Sequence, residues 1–250
     1  MVAGDACADA VDRARAMPGL AVGLHLVVIE GRAVLPPAVI PDLVDERGWF
    51  PSDQLRMGID YFFRPRVRRQ LEAEIRAQFA AFAATGLLLD HADAHKHMHL
   101  HPMVGALLLK VGREFGLRAI RIPAEPPAVL TTCGEASGHG ARLLHAWMRL
   151  LRHQASRAGM QMNDAVFGLH WSGRFTETRL LRLLAHLPPG LSEIYLHPAT
   201  GRDATLDALM PNYDHTGELA ALLSPRVREA VRDIGLIRTT YGSEAMGVAL

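Results

Sequence analysis

Short β-rich apolar runs alternate with longer amphipathic segments along this chain, and that alternation limits its possible folds more than any other feature. "GLAVGLHLVV" (residues 19–28) has the composition of a strand. After a long loop, "VRRQLEAEIRAQFAAFAATG" (67–86) has helical periodicity and a glycine stop. "LLLDHADAH" (87–95) is the next strand candidate, and His101-Pro102 opens a helix that runs through "VGALLLKVGREFG". "LRAIRIP" is a strand, "GARLLHAWMRLLRHQASRAG" (140–159) a helix and "DAVFGLHW" a strand. "TETRLLRLLAHL" is a helix and "LSEIYLHP" a strand, and "PRVREAVRDIG" and "LIRTTYG" close the chain as helix and strand. Strands and helices that alternate at this spacing imply βα units and a mainly parallel sheet. Six strands with no break in composition predict a single α/β domain over 1–250, a barrel or barrel-like layer rather than a simple sandwich.

The histidines sharpen this reading. In "LLLDHADAHKHMHLHP", His91, Asp93, His95, His97, His99 and His101 fall on one parity. A strand alternates faces, so His91, Asp93 and His95 point one way and Ala92 and Ala94 the other. His97, His99 and His101 fall in the turn that follows. The tract stands at the C-terminal end of its strand, where a β/α barrel gathers its functional groups. The pattern recurs: His25 ends "GLH" with Gly23 and Ala21 on its face, Arg121 precedes Pro123, His170 ends "AVFGLH", and His197 ends "EIYLHP". A structural histidine explains any one of these, but not several at equivalent strand ends. His139, His145, His153, His186 and His215 lie on helices or loops and receive no role.

Neutral imidazole suits zinc and other divalent first-row ions, and catalytic sites typically keep three protein ligands. His25 and His95 are candidates for two of them. Asp93 either orients a histidine or takes a proton role. HExxH, Walker A, GxGxxG and GxSxG motifs are all missing from the sequence, which leaves metal-assisted hydrolysis as the reaction class. A histidine-rich metal-buffering tract would explain residues 91–101 but not His25, Arg121 or His197. A net charge of +1 gives no support for a nucleic-acid surface. No apolar run reaches the ~18 residues of a membrane span, and Cys7 and Cys133 have no metal or redox spacing. The chain thus reads as cytoplasmic, with idle thiols. Its loop between His25 and the first long helix carries "WF" (49–50) and "YFF" (61–63), as a lipid-contacting flap or as a cover packed on the barrel.

"GLHL" followed by "HADAHKHMH", then "RIP" and "EIYLHP", resembles the YdjC-type carbohydrate deacetylases over nearly the whole chain. "IEGRAVLPPAVIPDLVDERGWF" and "YFFRPRVRRQLEAEIRAQF" are similar to the hopanoid-biosynthesis branch of that family, HpnK. The resemblance implies an irregular (β/α) barrel of the YdjC and polysaccharide-deacetylase type. It implies a hydrolase with a divalent ion, zinc or magnesium, that removes acetyl from an N-acetylated amino sugar. For the branch, that sugar is N-acetylglucosamine linked to a hopanoid lipid, so the partner is a glycolipid, with membrane-surface contact and self-association both open. By position, His25 and His95 match metal ligands, and His197 matches a site histidine assigned the general acid. Asp93 and Arg121 match positions lining the site. The family also opens with a strand ending in an Asp-Asp pair that supplies a ligand and the base. This sequence starts at "MVAG" without that pair, so a first βα unit, roughly 30 residues, is expected to be lacking. Asp5, Asp9 and Asp12 are poor substitutes on a solvated helix face. An open gap beside the strand of His25 and weak metal binding follow, and a non-catalytic remnant that binds sugar, lipid or metal stays a second reading.

Overall fold

The computed structural model describes residues 1–135 and 142–246, with side chains described for 1–135 and 145–243. In chain order the elements begin with α1 (Cys7–Ala16), β1 (Val22–Leu26), α2 (Gln54–Phe63), α3 (Pro65–Ala84) and β2 (Leu89–Ala94). A 3-10 turn (His95–Leu100), α4 (Pro102–Glu114), β3 (Ala119–Ile120), α5 (Pro127–Thr132), α6 (Arg142–Arg157) and β4 (Gln161–Met162) follow. The chain continues with β5 (Ala165–Phe167), α7 (Glu177–Leu184), β6 (Ser192–Ile194), α8 (Ala204–Leu209), α9 (His215–Leu223), α10 (Pro225–Asp233) and α11 (Tyr241–Met246). The described residues divide into two compact units, one of residues 1–121, 142–162 and 239–246, the other of 122–135 and 163–238.

The first unit holds a parallel sheet in the order β1-β2-β3-β4. Its strands follow one another in sequence, with helices between them, as parallel pairing requires. Among the described residues β1 pairs with β2 and with no other strand of the sheet. Leu24 and Leu26 on β1 and Ala92 and Ala94 on β2 are buried, as are Val104, Leu108 and Val111 on α4. Helix α3 buries Val67, Leu71, Ile75 and Phe79 at helical spacing and packs on β1 and α4. It also buries three polar side chains, Gln70, Glu74 and Gln78, which bind the loop after β1. Gln78 donates to Val27 O (2.6 Å) and accepts from Val27 N (2.9 Å). Glu74 accepts from Val34 N (2.8 Å) and Leu35 N (2.9 Å).

In the second unit β5 and β6 pair in parallel, with Val166 opposite Glu193. Phe167, Trp171, Phe175, Leu180, Leu183, Ala221 and Val227 form its core, and Cys133 is buried among them. Helices α7, α8, α9 and α10 each start at a side-chain cap: Thr176, Asp203, Asp214 and Ser224.

The α/β class and the parallel sheet agree with the sequence, and most expected elements fall where periodicity places them. Four departures have local causes. Residues 236–240 are not a strand: the Thr240 hydroxyl accepts from Ser243 N (3.1 Å) and starts α11 instead. β4 has only two residues, too few to show a period. The long loop contains α2, capped by Asp53, whose carboxylate accepts from Arg56 N (2.9 Å). The short helices α5, α8 and α9 were not expected from sequence periodicity. His139 lies outside the described residues.

Gln78→Leu is expected to lower stability by about 2–4 kcal/mol, because it strands a buried N–H and C=O of Val27. Urea unfolding with an unchanged m-value is the check.

Candidate active site

Strands β1, β2 and β3 bring three chemically active side chains together at their C-terminal ends. His25 and Asp93 are directly opposed in the β1–β2 ladder, so their side chains share a face. His25 Nδ1 lies 2.8 Å from Asp93 Oδ1. A carboxylate only accepts, so Nδ1 carries the proton and Nε2 is left for another partner. Arg121, just past β3, donates from Nη1 to Asp93 Oδ2. Asp93 is buried at 4% exposure. Burial alone would push its carboxyl up. The neighbouring His25, their hydrogen bond and the Arg121 guanidinium outweigh burial and hold it far below the usual carboxylate range.

His95 opens the turn after β2, and its ring stands edge-on to that of His25 with 5.8 Å between centres. The next two residues, Lys96 and His97, take left-handed backbone at φ 49° and 54°. Non-glycine residues rarely adopt that region, and such strain concentrates at functional sites. Glu30, after β1, is left-handed too, at φ 45°, and its carboxylate pairs with Lys96. His99 is fully buried, with Nε2 donating to Arg121 O (3.0 Å) and Nδ1 left without a hydrogen bond. Arg121 is thus gripped twice, by Asp93 at its guanidinium and by His99 at its carbonyl. Burial holds the His99 imidazole down at about 3, so it stays neutral.

A second Asp–His pair stands on the same strand. His91 Nδ1 meets Asp90 Oδ2 at 2.8 Å, and Asp90 Oδ1 accepts from Gly242 N (2.6 Å), which anchors the start of α11. The His91 ring lies over Gly23, where an added Cβ would come within 2.6 Å of it, and against Tyr241 at 4.7 Å between centres. The space that Gly23 leaves on the face of His25 is thus taken by His91. No periodicity could have revealed Asp90 and His99 as positioning groups, because each has a backbone partner far off in sequence, Gly242 N and Arg121 O.

His25, Asp93, His95 and Arg121 therefore come together in the first unit. His197 and His170 belong to the second. His197 is held at its backbone N, which donates to Glu218 Oε2 (2.6 Å), and its ring meets those of Tyr195 and Tyr213 edge-on. His170 bonds Glu135 through Nε2 (3.2 Å), and Glu125 accepts from its backbone N (2.9 Å).

Two imidazoles sharing one tetrahedral ion at about 2.0–2.1 Å have ring centres roughly 5–6 Å apart, so the spacing of His25 and His95 fits a shared ion. Asp93 has both oxygens committed, to His25 and to Arg121. Among the described residues no set of three His, Cys, Asp or Glu side chains is arranged as a complete metal cage. A cleft of about 470 Å³ lined by Arg113, Arg118 and Gln161 lies at the N-terminal ends of β3 and β4, away from this cluster.

The family model of the YdjC-like proteins matches residues 1–233. The chain belongs to the YdjC-like family. A carbohydrate deacetylase of Brevibacillus brevis is 36% identical over 236 residues, covering 93% of this chain and 81% of its own. A chitooligosaccharide deacetylase of Yersinia enterocolitica is 26% identical, covering 94% and 83%. A carbohydrate deacetylase of Mus musculus is 28% identical, covering 91% and 79%. The fold matches a crystal structure of a candidate cellobiose-phosphate cleavage protein of Enterococcus faecalis at TM-score 0.73 and 22% identity, covering 98% and 86%.

Two measurements test this geometry. Asp93→Asn removes the buried carboxylate that pairs with Arg121 and should cost about 3–5 kcal/mol. Arg121→Met in that background should cost much less than it does alone, a coupling that a double-mutant cycle in urea reads directly. His99 binds its proton in the unfolded chain near pH 6.5 but in the folded one only near 3. Its contribution is therefore complete above about pH 6.5 and declines as pH falls. Between about pH 6.5 and 4.5 the stability of the native chain should fall more steeply than that of His99→Gln, by up to ~1.4 kcal/mol per pH unit.

Proposed function

We propose that this chain is a metal-dependent carbohydrate deacetylase that hydrolyses the acetamide of an N-acetylated amino sugar. The observation that carries the reading is the pair His25 and His95, 5.8 Å apart, with His25 oriented by a buried carboxylate, in a family with relatives named carbohydrate and chitooligosaccharide deacetylase. His25 through Nε2 and His95 would hold a divalent ion, zinc or magnesium. When bound, that ion supplies Lewis acidity toward the acetyl carbonyl.

The chain's own residues do the rest. Asp93 keeps the Nδ1 proton on His25 and so presents the ring in one tautomer and orientation. Its depressed pKa makes it a fixed counter-charge and a poor acceptor of a proton from water, so the proposal gives it orientation before proton transfer. Arg121, held by Asp93 and His99, supplies positive charge where the amide oxygen gains negative charge. His197 is assigned proton donation to the departing amine, because an amine anion is a poor leaving group.

The finer substrate reading is N-acetylglucosamine linked to a hopanoid lipid, handled in the cytoplasm. It draws on the branch-like stretches at 29–50 and 61–79 and on the apolar residues they place at the surface.

Acetate release from N-acetylated chitooligosaccharides, measured with the metal content of the same sample, tests the activity. His25→Ala and His95→Ala should each lower kcat/KM about a thousandfold or more and reduce bound metal. Acetate release unaffected by both substitutions refutes the proposal, and metal binding without turnover favours the non-catalytic binder. Deletion of the gene should cause the acetylated glycolipid to accumulate, as mass spectrometry of hopanoids would register.

A further inference from the structure

Helix α2 is apolar on two sides. Its inner side is anchored: Met57 and Tyr61 are buried, and the Tyr61 hydroxyl donates to Val28 O (2.7 Å). The helix therefore has a fixed rotation. On its outer side Leu55, Ile59 and Phe63 follow at spacings of four and are exposed at 76%, 50% and 77%. Residues so spaced stand above one another on a helix surface. Phe62 sits half-buried beside them, its ring 5.9 Å from that of Phe63. A surface helix ordinarily turns charged and polar residues to this side. Single exposed apolar residues are normal, but a continuous stripe on a rigid helix marks an interaction site.

The surrounding charge selects the occupant. Residues 51–70 contain Arg56, Arg64, Arg66, Arg68 and Arg69 against Asp53 and Asp60, five cations against two anions, for a net +3 in a chain of +1 overall. Asp53 is used in capping α2, Asp60 faces Arg64 at 3.5 Å, and Arg66 pairs with Asp42 at 2.7 Å, so the positive excess rests on Arg56, Arg68 and Arg69. A second copy of the chain is disfavoured. A two-fold contact puts a patch against itself, so the stripes would meet only by bringing the two arginine clusters together. A surface that offers apolar depth and negative charge together suits both features.

We propose that α2 docks on the surface of an anionic lipid bilayer, with Leu55, Ile59 and Phe63 at the headgroup–acyl boundary and the neighbouring arginines on lipid phosphates. An in-plane amphipathic helix of this kind inserts its apolar face about 5–10 Å. Cations near an anionic leaflet add to its affinity. Among the described residues no helix is long and apolar enough to cross a membrane, so the contact is peripheral. The proposal rests on the reading that the amino sugar is lipid-linked, and it supplies the surface on which such a substrate would stand.

Flotation of the full chain, without substrate, on phosphatidylcholine vesicles containing about a third phosphatidylglycerol tests it. The chain should float with these vesicles, should not float with pure phosphatidylcholine, and should release as salt rises. Leu55→Ser/Ile59→Ser/Phe63→Ser should weaken binding at least about tenfold. The side chains are exposed, so thermal unfolding and acetate release from soluble oligosaccharides should not change. Failure of the native chain to float, or equal flotation by the triple variant, overturns the proposal. So does a dimer in solution that the same three substitutions disperse. The soluble acetate assay reports on the deacetylase separately, so a failed activity and a failed docking surface cannot be confused.

Discussion

A buried carboxylate holds the site of this protein together. Asp93 is out of water, yet it is charged, because His25 supplies one partner and Arg121 another. The three residues come from β1, β2 and the end of β3. One negative charge thus ties three neighbouring parallel strands at the end where their loops begin. Removing an ion from water costs several kcal/mol, and only good geometry with filled lone pairs offsets it. Here both carboxylate oxygens are used. Such an arrangement is weak evidence for extra stability, but it strongly fixes register. A shift of β1 by one residue would turn His25 to the other face and leave Asp93 without its first partner.

A similar use of acids recurs away from the strands. Three glutamates each accept two backbone N–H groups from loop residues. Glu74 takes Val34 and Leu35, Glu125 takes Gly168 and His170, and Glu218 takes Phe175 and His197. Loops between strands and helices leave amides unpaired, and inside a protein each such amide needs an acceptor. A carboxylate can serve two at once. Burial raises Glu74 and Glu125 while these amides pull them back down, so the loops themselves supply part of what keeps the acids ionised. His170 and His197 are held at their backbone N–H groups in this way, and the His170 ring is held again by Glu135.

The parts of this architecture visible in the sequence were those with a period or a repeated position. Helix α3 and helix α4 were legible because their apolar residues recur at helical spacing. The cluster of His25, Asp93, His95 and Arg121 was legible because each stands at a strand end. The flap at 49–63 was legible only as apolar. Its two expected alternatives divide residue by residue: Phe50 and Tyr61 pack inside, while Trp49 and Phe63 face outward. Local spacing could not separate these, because burial there depends on Tyr61 finding Val28 O, a partner 33 positions away.

What escaped the sequence entirely were contacts in which one partner is backbone. The run Ile237–Thr240 has strand composition, yet Thr240 caps a helix whose Gly242 N–H is accepted by Asp90. Nothing in the spacing of residues 90 and 242 links them. The same Asp90 orients His91, which fills the space that Gly23 leaves beside β1. One aspartate therefore connects the last helix of the chain to the strand that carries Asp93. A perturbation in α11 has a direct covalent and hydrogen-bonded route to β2, through Gly242, Asp90 and three residues of strand. The site is held from within by Asp93 and from behind by Asp90, and of the two only Asp93 stood on the parity that the histidine tract displays.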